Sequence, residues 1–154
     1  SPFDCWLLLR STKTMALRVQ KQSDNAMLLS KILQEHSKAY SVIYPGLENH
    51  AQHKLAIRQQ TNPEGFPIFG CMVSFKCGSI EKRDSFLSKL KLFTLAESLG
   101  GVESLICVPY EMTHASVPKK IKKDMDLVPE LIRLSVGIEH IDDLSNDIIE
   151  ALEG

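Results

Sequence analysis

The chain has 154 residues, with 18 Lys+Arg against 19 Asp+Glu and a formal charge of −1. Its 44% hydrophobic and 24% charged content is that of a globular domain rather than a disordered chain, and near-neutral charge argues against bulk electrostatic affinity for nucleic acid. No apolar run approaches the ~18 residues of a membrane span, and the start, Ser1-Pro2-Phe3-Asp4, has no basic region of a signal peptide. It also lacks an initiator methionine, which points to a processed or partial chain. The length suffices for one domain with a true core.

The predicted elements run as follows. Asp4 can cap a first short helix over residues 5–10. A long helix is expected over residues 14–36, because Met15, Val19, Ala26, Leu29 and Leu33 share one stripe. At ~1.5 Å per residue it is long for so small a domain and is expected to pack on something outside the chain. Residues 40–44 read as a strand stopped by Pro45-Gly46, residues 48–60 as a polar helix, and residues 61–69 as a loop. Residues 71–77 alternate, with Cys71, Val73, Phe75 and Cys77 on one face and Met72, Ser74 and Lys76 on the other. Ser79 caps a helix to about Leu90, with Ile80, Arg83, Leu87 and Leu90 on one side.

Residues 92–95 form a short apolar segment, residues 97–101 a turn, and residues 102–108 an apolar strand. Pro118 opens a basic helix. Residues 131–136 alternate again: Ile132, Leu134 and Val136 face one way, Leu131, Arg133 and Ser135 the other. Ile141, Leu144, Ile148 and Leu152 make a final amphipathic helix, with Asp142 and Asp143 suited to its dipole. The intermixed pattern predicts an α/β (α+β) domain: a mainly antiparallel sheet of about four strands, helices on one face, and a long N-terminal helix.

Candidate chemistry is sparse. Arg133 sits mid-strand on the polar face, where a guanidinium can hold a carboxylate through two parallel hydrogen bonds; the alternative is a structural ion pair or a surface arginine. Glu97-Ser98-Leu99-Gly100-Gly101 places a carboxylate, a hydroxyl and backbone N–H groups in one turn, which is also what an ordinary turn looks like. Thr113-His114 lies in an irregular segment and offers a base or a structural histidine. His50 and His53 share a helix face without a third metal ligand. Cys5, Cys71, Cys77 and Cys107 match no zinc spacing and read as reduced thiols of a cytoplasmic protein. Lys119, Lys120, Lys122 and Lys123 read as a solvated face. No complete catalytic set is visible, and no metal is expected.

Six segments together resemble the trans-sulfuration enzymes, the pyridoxal-phosphate enzymes of cysteine and methionine metabolism. They are Ser1-Pro2-Phe3-Asp4; Leu9-Arg10 with Lys13-Thr14; Tyr44-Pro45-Gly46-Leu47; the fifteen residues from Lys91 to Leu105; Met112-Thr113-His114-Ala115-Ser116; and Ile132-Arg133-Leu134-Ser135-Val136-Gly137. The resemblance covers the chain in order and corresponds to the C-terminal part of the family. It implies linking and interface helices over residues 1–37 and the small C-terminal domain of a fold-type I enzyme over residues 38–154. The domain that binds pyridoxal 5'-phosphate, with the Schiff-base lysine, would lie outside this chain. No catalytic or cofactor-binding residue is then expected here, and the chain alone should be inactive. By resemblance, Arg133 clamps the substrate α-carboxylate with Ser98, Glu97 lines the distal pocket, and Thr113 forms part of its wall. The implied partners are cystathionine or a related amino acid, the chain's own N-terminal domain and further subunits of a homotetramer.

Within the family, Ala96-Glu97-Ser98-Leu99-Gly100-Gly101 is similar to the cystathionine-handling members, and the first and fifth segments most resemble cystathionine γ-lyases. The γ-synthases and β-lyases share this run and stay open, as does a non-catalytic module that binds a related subunit. Departures from the family pattern are Ser11-Thr12, a long loop over residues 61–69, and the absence of the usual glycine between Lys119 and Glu130.

Overall fold

A computed structural model describes residues 1–154. Its elements are α1 (Pro2–Thr12), α2 (Met15–Glu35), β1 (Tyr40–Ile43), α3 (His53–Gln59), β2 (Met72–Lys76), α4 (Ile80–Lys89), β3 (Thr94–Leu95), β4 (Leu105–Cys107), α5 (Lys119–Asp124), β5 (Leu131–Ser135) and α6 (Ile141–Glu153). The sheet has five strands in the order β1-β2-β5-β4-β3. Every pairing is antiparallel except β3 with β4, which is parallel. The expected four-stranded sheet is therefore corrected to a five-stranded mixed one. The additional strand is two residues long, too short for any period-2 signal.

The alternation in β2 and β5 builds the core. Val73, Phe75, Ile132, Leu134 and Val136 point inward with no exposure, joined by Ile106 of β4. Three helices cover that face: α2 through Ala26, Leu29 and Leu33, α4 through Phe86, and α6 through Leu144, Ile148, Ala151 and Leu152. Phe75 and Phe86 meet edge to face at 5.6 Å. Full burial of each such side chain is worth about 1.5–3 kcal/mol. On α4 the expected stripe shifts: Arg83 and Phe86 are the buried residues, whereas Ile80 is exposed.

Caps explain several boundaries. Ser1, rather than Asp4, is the N-cap of α1: its Oγ accepts from Asp4 N while the Asp4 carboxylate returns a bond to Ser1, with Pro2 in the first turn. Ser79 Oγ accepts from Lys82 N at the start of α4. Asp126, between α5 and β5, adopts the left-handed conformation (φ 52°), which aspartate tolerates better than most residues.

The helix α2 departs from a simple apolar stripe. Met15 is exposed, and Gln22, Ser23, Asn25 and Ser30 are buried alongside the leucines. Helix α1 buries none of its residues, and Phe3, Trp6, Leu8 and Leu9 are all exposed. Lys122 is not part of a solvated face: it is buried, its Nζ donates to Tyr110 O (2.8 Å) and Ala115 O (3.3 Å), and it lies 4.2 Å from the Tyr110 ring. No helix is long and apolar enough to cross a membrane.

Candidate functional site

Arg133 stands on the sheet face opposite the helices. It is at the middle of β5, opposite Ser74 of β2 on one side and Cys107 of β4 on the other. A central strand between two neighbours holds its Cα rigidly. The side chain is half-buried, forms no salt bridge within the protein, and has the Cys107 thiol as its polar neighbour. A structural arginine looks different here: Arg83, 4% exposed, donates to Asp84, Glu111 and the Pro129 carbonyl. Of the readings open for Arg133, the geometry lacks the ion pair, and both the carboxylate clamp and the surface arginine fit it.

The turn of residues 97–101 comes to the same face. Strand β3 pairs with β4 as Thr94 with Leu105 and Leu95 with Ile106, and Ala96 N continues the ladder to Ile106 O at 2.9 Å. Glu97 and Ser98 follow immediately and are exposed. The entry to β3 is fixed by buried Asp147 of α6, whose carboxylate accepts from the N–H groups of Lys91 (2.8 Å), Leu92 (3.0 Å) and Phe93 (3.3 Å). Such charge-assisted bonds are stronger than neutral ones.

Cys107 registers both partners of the candidate site. Burial pushes its thiol above the usual range, the neighbouring Arg133 guanidinium opposes that shift, and the Glu97 carboxylate adds to it. Cys107 thus feels one basic and one acidic side chain of the candidate set, the basic one directly beside it. Thr113 is exposed, its hydroxyl 2.8 Å from His114 Nδ1, and no hydrogen bond ties it to Arg133, Ser98 or Glu97. The 97–101 turn is tied to β5 through Ser135, two positions from Arg133, and Thr113 has no hydrogen bond to either.

The remaining candidates have structural roles. His53 Nδ1 lies 2.8 Å from Pro45 O and its ring stacks on Phe69, while His50 Nδ1 accepts from Gln52 N. All four cysteines are free thiols. A cleft of about 300 Å³ between α4 and α6 involves Lys38, Lys82, Lys89 and Phe86 but none of the candidate residues; it is on the helical side of the sheet and does not bear on the chemistry.

Sequence reasoning missed the groups that hold the site. Ser135 Oγ accepts from Gly100 N at 2.8 Å, and Gln22 Nε2 donates to Gly101 O at 2.6 Å. Ser104 Oγ donates to Glu139 (2.9 Å) and accepts from Gly137 N (2.8 Å). The available signals were the shared face of Arg133 and Ser135, and a run of buried-length polar residues, Gln22, Ser23 and Asn25, inside an apolar helix.

The chain as a whole is similar to known proteins. Residues 1–153 match the family described as Cys/Met metabolism PLP-dependent enzyme. A cystathionine γ-lyase of Dictyostelium discoideum is 49% identical over 153 residues, which cover 99% of this chain and 38% of the relative. A cystathionine β-lyase of Lactococcus lactis subsp. cremoris (strain MG1363) is 46% identical over 152 residues, with the same shares. The crystal structure of cystathionine γ-synthase from Xanthomonas oryzae pv. oryzae in complex with cystathionine superposes with a TM-score of 0.91 at 40% identity, covering 99% of this chain and 38% of that one. The chain thus spans 38% of the length of these relatives.

Proposed function

This chain belongs to the Cys/Met metabolism PLP-dependent enzyme family, and we propose that it is the C-terminal, substrate-clamping part of a PLP-dependent cystathionine γ-lyase. That enzyme would cleave cystathionine to cysteine, 2-oxobutanoate and ammonia. The observation that carries the reading is the guanidinium of Arg133, half-buried without a salt bridge on the face to which Ser135 ties the 97–101 turn.

In this reading Arg133 grips the α-carboxylate through two parallel hydrogen bonds. Ser98 adds a hydroxyl donor to the same carboxylate. Glu97 attracts the distal ammonium of cystathionine, and Thr113 closes the pocket wall. Pyridoxal phosphate, when bound, supplies the electron sink for carbanion chemistry, and the protein supplies binding and orientation. None of Arg133, Glu97, Ser98 and Thr113 carries an amine for the cofactor's aldehyde, so the group would be held by the rest of the enzyme. Residues 1–37 would link to that cofactor domain and to other subunits of a homotetramer; the exposed Phe3, Trp6, Leu8 and Leu9 of α1 supply apolar surface for such contacts. Residues 38–154 form the domain proper. Four free thiols suit a reducing, cytoplasmic compartment.

A γ-synthase or β-lyase is the second reading, favoured by the 40% and 46% identities to such enzymes. The test is product analysis with cystathionine and the full-length, PLP-loaded protein. Release of 2-oxobutanoate supports the γ-lyase. Pyruvate and homocysteine mark the β-lyase, and cystathionine formed from cysteine and an activated homoserine marks the synthase. The isolated chain mixed with pyridoxal phosphate and reduced with borohydride should label no single lysine. Stoichiometric labelling of one lysine would overturn the division of labour.

A further inference from the structure

The 97–101 turn is gripped from two sides. From the sheet, Ser135 Oγ accepts the Gly100 N–H at 2.8 Å. From the helix layer, Gln22 Nε2 donates to Gly101 O at 2.6 Å and reaches Gly100 O at 3.5 Å. Ser135 is 2% exposed and Gln22 4%, so water competes poorly for these bonds and a neighbouring lone polar group would be costly. Gly100 has φ +78°, a conformation that lets its N–H face Ser135 and that other residues adopt with strain.

The anchors themselves are rigid. Ser135 is opposite Leu105 of β4 and Met72 of β2, so moving it means moving three central strands. It lies two positions along β5 from Arg133, on the same face. Gln22 shares α2 with Asn25, whose Nδ2 donates to Gly137 O (3.1 Å) and Glu139 O (2.9 Å) just beyond β5. One helix thus holds both the turn that carries Glu97 and Ser98 and the end of the strand that carries Arg133.

We propose that Ser135 and Gln22 are positioning residues that set the gap between Arg133 and Glu97, and thereby select ligands by the distance from α-carboxylate to distal ammonium. The proposal rests on the reading of Arg133 as a carboxylate clamp. Without the Ser135 hydroxyl, the exposed Gly100 N–H turns to water and the turn loses its fixed place, while Arg133 stays in its strand. The half of the affinity that comes from Glu97 is lost and the Arg133 half remains.

The test uses the full-length, PLP-loaded protein and two ligands. Cystathionine has both end groups; L-2-aminobutanoate, a competitor, has the α-carboxylate but no distal ammonium. Ser135→Ala should raise KM for cystathionine about fivefold, with kcat and the 2-aminobutanoate inhibition constant within about twofold. Ser135→Thr, which keeps the hydroxyl, should restore the cystathionine KM. Glu97→Gln should likewise raise KM for cystathionine relative to the 2-aminobutanoate inhibition constant, and Ser135→Ala should add little on top of it, because the two act as one unit. Gln22→Ala reads the latch from the helix side if Ser135→Ala does not fold. Equal losses for both ligands, no loss for either, or additive effects with Glu97→Gln would overturn the proposal. If Arg133→Lys leaves both ligand constants unchanged, the carboxylate clamp itself is wrong and the proposal falls with it; if only the Ser135 and Gln22 variants are silent, the clamp stands.

Discussion

Along residues 131–136 one strand serves two faces of the sheet. Ile132, Leu134 and Val136 enter a core covered by α2, α4 and α6 and have no exposure. Arg133, between them, faces away from the helices with a guanidinium that no carboxylate of this chain neutralises. The inner face is complete within the chain; the outer face has charge and hydroxyls held in place but unanswered. The difference teaches that folding and binding are divided by the strand's period of two, so that neighbouring residues should fail in different assays.

Arg133→Ala should break the outer face alone. In the full-length protein kcat/KM for cystathionine should fall about 100-fold or more, since a lost partner of a desolvated charge pair costs ~2–5 kcal/mol. Stability should change by less than about 1 kcal/mol, because the side chain forms no salt bridge within the protein and only the Cys107 thiol neighbours it. A large loss of stability would mean that the two faces are not separable. Leu134→Ala should do the reverse, costing about 2–5 kcal/mol in denaturant unfolding through the cavity it leaves.

Gly137 joins the two faces at the end of β5. A Cβ there would come 2.2 Å from Val102 O and 2.8 Å from Glu103 C, both backbone atoms that cannot rotate away. Gly137→Ala should therefore cost about 1–3 kcal/mol and also disturb ligand binding, because the Val102 segment follows the Glu97 turn. Unchanged melting of this variant would show that the segment yields freely.

The smallest effect expected is on pH dependence, and it belongs to the inner face. Burial pushes the Cys77 thiol up to about 12, and Tyr44 likewise to about 12. Both acids stay neutral in the folded protein while their unfolded counterparts ionise from an ordinary 9.0 and 10.0. The unfolded state then binds fewer protons, so their contribution to stability is fully present below about pH 9 and declines towards pH 12. Melting scans should show this decline, and Cys77→Ala should make it shallower; an unaltered slope would assign it to Tyr44 or to other groups.

Much of this was legible in the sequence because it depends on local periodicity. The alternation in β2 and β5, the cap at Ser79 and the apolar stripe of α6 each follow from the spacing of residues a few positions apart. The two-residue β3 was not legible, because its only signal is pairing with β4 and the clasp of Asp147 from α6, more than fifty residues away. Lys122 misled for a different reason: a lysine's stem and ammonium can be buried when the irregular segment just before its helix folds back and offers its carbonyls, and composition does not reveal that.

The sequence by itself determined which face of each strand is apolar, that Arg133 stands on the other face, and, through the run from Lys91 to Leu105, the family resemblance. The tertiary structure alone decided that Arg133 forms no internal salt bridge and that the Cys107 thiol lies beside it. It also decided that Ser135 and Gln22 hold the intervening turn. The physical reason is range. Periodicity and caps act over one or two turns of chain, whereas the pairing or isolation of a charge depends on strands and helices that meet only after the whole chain has folded.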